Sequence, residues 1–169
     1  MVNVASKAIV QAILFYIVWF LVVCLMKNGQ LELYALGVQI LFILVFLKKS
    51  EIKFLALVTI LGAVVDSIPV VLGLITFPST NFYIGVYPAW MMLMWSIFAT
   101  TFSLSLGWLQ NRIKLQCLFG LIGGSLSLYA AYGIGALDFP KGVSTALIFC
   151  SLEWALLVPT LFSMHRRLL

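Results

Sequence analysis

Two acidic residues, Asp66 and Glu153, lie inside long apolar segments of the sequence. A charged group at the centre of a bilayer costs at least about 2.5 kcal/mol, so ionisable residues in such segments are functional candidates. At about 1.5 Å per helical residue, Asp66 lies about 18 Å from Phe54 and Glu153 about 15 Å from Val143. The two segments are expected to run in opposite directions, which predicts that both carboxyl groups lie near the middle of the membrane.

These two residues are the best candidates for chemistry, since no Lys, Arg or His lies at a matching depth. Burial without a counter-ion penalises a charged carboxyl group, and two neighbouring carboxyl groups can share one proton. We predict that Asp66 and Glu153 form an acid–base pair with at least one member protonated near neutral pH. Alternatively, the pair accepts a cationic or hydroxylated ligand. A purely structural hypothesis is that each is neutral, or is hydrogen-bonded to Tyr129, Tyr132 or a Ser or Thr hydroxyl group, and holds helices together.

Other polar residues are expected at the same depth and complete a predicted ligand site. These are Gln39, Thr100, Ser127 and Tyr129. Small and polar residues recur at helical spacing in these segments, such as Gly62 and Asp66, which is typical of a face that packs on other helices or lines a cavity. The chain has one His and no CxxC motif, so we expect no metal site and no cofactor.

Glycines and tryptophans near these positions have simpler expected roles. The two glycines at 123–124 are expected to contact a neighbouring helix. We interpret Trp90 and Trp95 as packing residues and interface anchors rather than as a ligand cage. Trp154 directly follows Glu153, but successive helical residues point about 100° apart. The sequence therefore does not assign Trp154 to the same cavity.

The composition indicates which elements must position these residues. Hydrophobic residues make up 64% of the 169 residues, charged residues make up 9%, and the mean hydropathy is +1.18. A soluble domain carries about 45–50% apolar and about 25% charged residues, and disordered chains have low hydrophobicity. Both classes are excluded. The net charge of +5 does not indicate a nucleic-acid partner, because the basic residues lie between apolar runs.

Six apolar runs are long enough, or nearly so, to cross a bilayer. They span residues 8–26, 33–47, 54–77, 89–109, 115–137 and 143–164. None alternates apolar and polar residues as the strands of a membrane barrel do. The sequence predicts an all-α polytopic membrane protein, a bundle of six transmembrane helices in one domain over 1–169. The first run is too long for a typical signal peptide and has no cleavage motif, so we expect it to be retained.

Basic residues are distributed unevenly between the connections. The termini and the even-numbered connections carry eight Lys and Arg residues, whereas the other side carries only Lys27 and Lys141. The positive-inside rule then predicts that both termini face the cytoplasm and that the connection 78–88 faces outward. The aromatic residues in and beside this connection are expected in an outer aromatic belt: Phe82, Tyr83, Tyr87 and Trp90.

Four parts of the sequence together suggest a family. They are Asp66, the sequence PAW at 88–90, GGSLSLYAAYGIGAL at 123–137 and EWALLVP at 153–159. They resemble an uncharacterised family of small bacterial inner-membrane proteins, domain of unknown function 2878, over nearly the whole chain. The resemblance implies a multi-pass protein of the bacterial inner (plasma) membrane, and it supplies no activity, substrate or catalytic residue.

Three functions are compatible with these features. The first is an intramembrane site for a lipid or other apolar molecule reached from the bilayer, with acid–base chemistry in lipid metabolism as one form of it. The second is a small proton-coupled transporter or channel subunit built from two inverted halves. The third is a non-catalytic accessory subunit. We favour the first and leave open whether the protein is an enzyme; its expected partners are the bilayer and the apolar ligand.

Overall fold

The computed structural model describes residues 3–169, in which the chain forms six α-helices joined by short connections. They are α1 (Val4–Met26), α2 (Glu32–Phe46), α3 (Ile52–Val71), α4 (Ala89–Thr100), α5 (Ile113–Ile134) and α6 (Val143–Leu168). All except α4 are long and apolar enough to cross a membrane, α2 and α3 with the short 3-10 turns that precede them. The chain is therefore an all-α multi-pass membrane protein, as the sequence predicts.

The short helix α4 lies at the centre of the bundle. It packs against α2 and α3, and α1 covers part of it. Every residue from 94 to 100 is buried, as expected for a helix that is apolar on all sides. The antiparallel pair α5 and α6 has the most extensive packing in the fold and joins the other helices mainly where α6 contacts α3.

The sequence predicts a fourth helix over 89–109, whereas α4 ends at Thr100. The hydroxyl groups of Thr100 and Thr101 donate to carbonyl oxygens three residues earlier, at 2.7 and 2.6 Å. Such local hydrogen bonds compete with regular helical bonding. The chain therefore leaves the helix in a series of turns and closes with the 3-10 turn Gly107–Leu109.

Gln11 of α1 binds the backbone that the end of α4 leaves without helical partners. Its side chain is 1% exposed. The amide nitrogen donates to the carbonyl oxygen of Thr100 at 3.0 Å, and the amide oxygen accepts from the backbone N–H of Ser105 at 3.2 Å. An unpaired buried backbone group costs about 1–3 kcal/mol. Gln11, to which the sequence pattern assigned no role, is therefore what permits a break inside the bundle.

Two connections are paired over one end of the bundle, which we call the hairpin end. The strands β1 (Tyr83–Ile84) and β2 (Tyr87–Pro88) form an antiparallel hairpin that turns at Gly85, where φ is 64°. Thr76 and Asp138 exchange backbone hydrogen bonds of 2.9 and 2.8 Å. These bonds fix the connection after α3 to the connection between α5 and α6.

Glu32 holds the loop that precedes the hairpin. Its carboxylate is 1% exposed and accepts from the backbone N–H groups of Asn81 and Phe82 at 2.6 and 3.2 Å. Gly29 lies so close to the same loop that an added Cβ would collide with the carbonyl group of Ser79. Hydrogen bonds to a charged acceptor are among the stronger ones in proteins. The connection after α1 and the first residue of α2 therefore hold the loop before the hairpin in place.

The aromatic residues of this end divide into two groups. Phe82 and Tyr83 are exposed, at 44% and 46%. Tyr87 and Trp90 are buried, at 2% and 1%, so the prediction that they belong to an outer aromatic belt is wrong. The reason is that Tyr87 donates a hydrogen bond to Asp66 inside the bundle, and Trp90 belongs to the central helix α4.

Candidate functional site

Asp66 accepts hydrogen bonds from three aromatic side chains. The phenol of Tyr87 donates to Oδ2 at 2.8 Å, and Nε1 of Trp95 donates to the same oxygen at 2.9 Å. Nε1 of Trp154 donates to Oδ1 at 3.0 Å. The Asp66 side chain is buried, so it joins α3, the hairpin, α4 and α6 at one point in the interior.

The chemistry of these donors suits an ionised carboxylate. An indole N–H group donates but cannot accept a hydrogen bond, so both oxygens of Asp66 serve as acceptors. Burial, together with the nearby Asp66, raises the pKa of the Tyr87 phenol well above its ordinary value. Tyr87 is therefore protonated and able to donate near neutral pH. Within residues 3–169, Asp66 forms no salt bridge.

Two glycines leave the space that the indole rings occupy. A Cβ added to Gly62 would lie 2.6 Å from Cγ of Trp95, and one added to Gly124 would lie 2.6 Å from Cε3 of Trp154. Real Cβ contacts are essentially never this short, so any other residue would displace the rings. The rings also pack on each other with centroids 4.8 Å apart. Glycine therefore sets the position of two of the three donors to Asp66.

The prediction for the glycines at 123–124 is right for one residue and wrong for the other. Gly124 contacts the ring of Trp154 on the neighbouring helix α6. A Cβ added to Gly123 would meet nothing within 4 Å. Gly123 instead lines a cavity, because its side of α5 faces a gap between helices.

This cavity has a volume of about 320 Å³ and lies between α1, α4 and α5, with Asp66 of α3 in its wall. The wall is mainly apolar and aromatic. Four of the five tryptophans of the chain line it: Trp19, Trp90, Trp95 and Trp154. An apolar, concave wall with few polar groups is typical of a small-molecule site. Trp90 and Trp95 therefore pack the helices and also line the cavity, and Trp154, which the sequence left unassigned, lines it as well.

The cavity reaches the outer surface of the bundle between α1 and α5. Tyr16 of α1 and Leu126 of α5 both line it, and both are exposed, at 63% and 61%. Ala130 of α5 is a third lining residue that is exposed. Tyr16 and Leu126 lie near the middle of their helices. The cavity is therefore open at the side of the bundle.

The cavity wall contains two of the predicted site residues, Asp66 and Ser127. The Ser127 hydroxyl group donates to the carbonyl oxygen of Gly124 at 2.8 Å, within its own helix. Glu153 precedes the wall residue Trp154 but is not part of the wall. It is close enough to Asp66 for the two to interact electrostatically, and its buried Oε2 has no hydrogen-bond partner in the described chain.

The other three predicted ligand residues lie away from this cavity. Gln39 is fully buried and donates from Nε2 to the carbonyl oxygen of Trp90 at 2.8 Å. The Thr100 hydroxyl group donates to the carbonyl oxygen of Ile97 within α4, and Tyr129 is 53% exposed on the outside of α5. The structural hypothesis of a hydrogen bond from Tyr129, Tyr132 or a Ser or Thr hydroxyl group is wrong for Asp66, because its donors are other aromatic side chains. Equal depth on two helices does not bring side chains together, since each helix also has its own rotation.

Sequence reasoning missed the three donors to Asp66. The available signal was chemical: with no cation at that depth, the partners of a buried carboxylate had to be neutral donors. Buried Tyr and Trp usually find a partner for their polar hydrogen. Tyr87, Trp95 and Trp154 each stand in or beside an apolar segment, so this rule alone would have named them as candidates.

Residues 8–160 match the model of a family described as "Protein of unknown function (DUF2878)". The chain belongs to this family. The DUF2878 match begins within α1, ends within α6 and includes Asp66 and its three donors. No curated protein and no solved structure matches the chain.

Proposed function

We propose that this DUF2878 protein binds a lipid or other apolar molecule in the cavity between α1, α4 and α5. The observation that carries the proposal is an aromatic cavity whose exposed rim residues, Tyr16 and Leu126, belong to the outer surface of the bundle. Trp90 and Leu137 are buried and close the cavity toward the hairpin end. A ligand therefore enters sideways from the bilayer rather than from water.

The size of the cavity limits what it holds. Its volume of about 320 Å³ is at the lower end of the range of about 300–1,000 Å³ for small-molecule sites. The cavity therefore accommodates one end of a long molecule, with the remaining chain extending between α1 and α5 into the lipid. Asp66 is the acidic group that this end would meet.

We propose further that the protein functions in the bacterial inner (plasma) membrane with both termini in the cytoplasm. The turn Lys49–Glu51 and the basic end of α6 lie at the end of the bundle opposite the hairpin end. Lys27 and Lys141 flank the connections of the hairpin end. This distribution supports the orientation, because basic residues are retained on the cytoplasmic side.

A matched pair of substitutions in α5 tests the binding site. Gly123 lines the cavity, whereas Gly133 is exposed and lies outside the wall, and an added Cβ meets nothing within 4 Å at either position. Gly123→Leu therefore fills part of the cavity, and Gly133→Leu adds the same side chain to the outside. Native mass spectrometry of protein released from membranes should show bound lipid on the wild type and on Gly133→Leu. Most of this lipid should be missing from Gly123→Leu.

The outcome that contradicts the proposal is equal retention of lipid by Gly123→Leu and Gly133→Leu. Equally weak retention of lipid by the wild type and both variants would also contradict the proposal. Thermal unfolding of the three proteins in detergent serves as the control, since the comparison requires that all three be folded.

A second candidate function, acid–base chemistry on the bound molecule, is favoured by one observation. Oε2 of Glu153 is buried without a hydrogen-bond partner in the described chain. Glu153 lies outside the cavity wall, so it would act on the bound molecule through the nearby Asp66, which is part of that wall. An unsatisfied buried polar atom in a native protein calls for an explanation, and a catalytic role is one of the few available. Asp66→Asn and Glu153→Gln keep the shape and remove the ionisable group. If the pair acts chemically, both variants should fold yet leave the lipid profile of a gene-deletion strain uncorrected, whereas restoration of the wild-type profile would eliminate this candidate.

A further inference from the structure

We infer that the ligand of this cavity carries a positive charge, as an apolar molecule with one ammonium or quaternary ammonium group. The inference rests on the proposed function and narrows its ligand class. The wall of the cavity, as residues 3–169 form it, has an acidic residue and no basic one. Asp66 is its one acidic residue, and among the described residues no Lys, Arg or His lines it. A phosphate or fatty-acid carboxylate would have no cation to bind there.

Asp66 has no cation as a partner among the described residues. Buried charges in proteins are normally paired. The donors to Asp66 are the neutral groups of Tyr87, Trp95 and Trp154, which orient the carboxylate without cancelling its charge. Glu153 lies nearby and also forms no salt bridge within residues 3–169. A ligand cation would supply the missing partner.

The wall of the cavity is also rich in aromatic rings. Trp19, Trp90, Trp95 and Trp154 line it, together with Tyr16 at the entrance. The face of an aromatic ring attracts cations, tryptophan most strongly, and aromatic cages recognise quaternary ammonium groups in this way. Aromatic rings and a carboxylate act in the same direction, so the cavity favours a cation over a neutral group of the same shape.

The test compares an ammonium ligand with its uncharged isostere and with an anionic fatty acid. The wild-type protein in nanodiscs is titrated with three ligands. They are dodecyltrimethylammonium, the neutral alkane that has carbon in place of its nitrogen, and dodecanoate. Tryptophan fluorescence reports binding, because four of the five tryptophans line the cavity. We expect the cation to bind at least about tenfold more tightly than the alkane, as a desolvated cation–aromatic contact allows, and dodecanoate to bind more weakly than both. The same titration of Gly123→Leu, whose cavity is partly filled, corrects for ligand that partitions into the lipid of the nanodisc.

Asp66→Asn removes the charge and keeps one acceptor oxygen. It should lower the affinity for the cation relative to the affinity for the alkane about tenfold, as loss of a close charge partner does. Equal affinity of the wild type for the cation and the alkane, or preference for dodecanoate, would overturn the inference, and this comparison does not depend on the variant folding. That result would leave the proposed function standing, because the proposed function fails only if Gly123→Leu retains bound lipid as Gly133→Leu does.

Discussion

Gly62 is the residue at which the smallest change should disturb the Asp66 network most. In Gly62→Ala the new methyl group would lie 2.5 Å from Cε2 and 2.6 Å from Cγ of Trp95. Carbon atoms in contact are about 3.5–4.0 Å apart, so the ring must move by about 1 Å. Nε1 of Trp95 donates to Asp66 at 2.9 Å. A shift of that size takes the donor beyond hydrogen-bond distance.

The expected cost combines opposing effects. Overpacking costs about 1–3 kcal/mol, and loss of a hydrogen bond to a charged group costs about 1.5–3 kcal/mol. The two losses share one cause, the movement of the Trp95 ring, and are therefore not additive. Alanine regains about 1 kcal/mol over glycine in a helix. We expect a net loss of about 2 kcal/mol in the free energy of unfolding, or a Tm lower by about 4–8 °C for a chain of this size.

Thermal unfolding in detergent, followed by circular dichroism, measures this effect. Gly37→Ala in α2 is the matched control, because a Cβ added to Gly37 meets nothing within 4 Å. The control should be as stable as the wild type or slightly more stable. If Gly62→Ala unfolds at the same temperature as Gly37→Ala, the close packing of Trp95 on α3 and its role in positioning Asp66 are wrong.

Three further predictions concern other parts of the molecule. Trp154→Phe keeps an aromatic ring on α6 and removes one donor to the buried carboxylate, so the free energy of unfolding should fall by about 1.5–3 kcal/mol; an unchanged Tm would contradict this. Glu32→Ala leaves two backbone N–H groups of the loop before the hairpin without their acceptor, so limited proteolysis should cut this loop faster than in the wild type, and equal rates would argue against the anchor. Reporter fusions after Lys53 and Arg112 should read cytoplasmic and a fusion within 78–88 periplasmic; opposite readings at two of these points would refute the orientation.

The sequence was sufficient for the helices but not for the break at the end of α4. Six apolar runs gave six helices because the bilayer requires continuous apolar segments with internally paired backbone. Apolar residues recur past Thr100 as far as Leu109, with Ser and Gly between them, so the pattern predicts a helix to residue 109. Where the helix stops depends on Gln11, which lies on another helix and supplies the backbone with partners. Thr100 and Thr101 are the local signal for the break, whereas a hydrogen-bonding partner on another helix leaves no signal in the sequence around them.

For the site, the sequence identified the residue but not its surroundings. The cost of burying a carboxyl group singles out Asp66, and the four-residue spacing correctly placed Gly62 on the same face of α3. The rotation of each helix about its axis is set by packing, which depth and composition do not reveal. Gln39 and Tyr129 therefore do not line the cavity that contains Asp66, whereas Trp154, to which the sequence assigned no place, does.

A cross-linking map tests the central claim, that an apolar molecule occupies the cavity between α1 and α5, most directly. Cells or membranes are supplied with a lipid whose acyl chain carries a diazirine and are then irradiated. The labelled residues are identified by peptide mass spectrometry. Labels are expected on wall residues inside the bundle, such as Met94 and Trp154, and these labels should be lost in Gly123→Leu. Labels confined to outward-facing residues such as Val64 and Ile148, unchanged in Gly123→Leu, would contradict it.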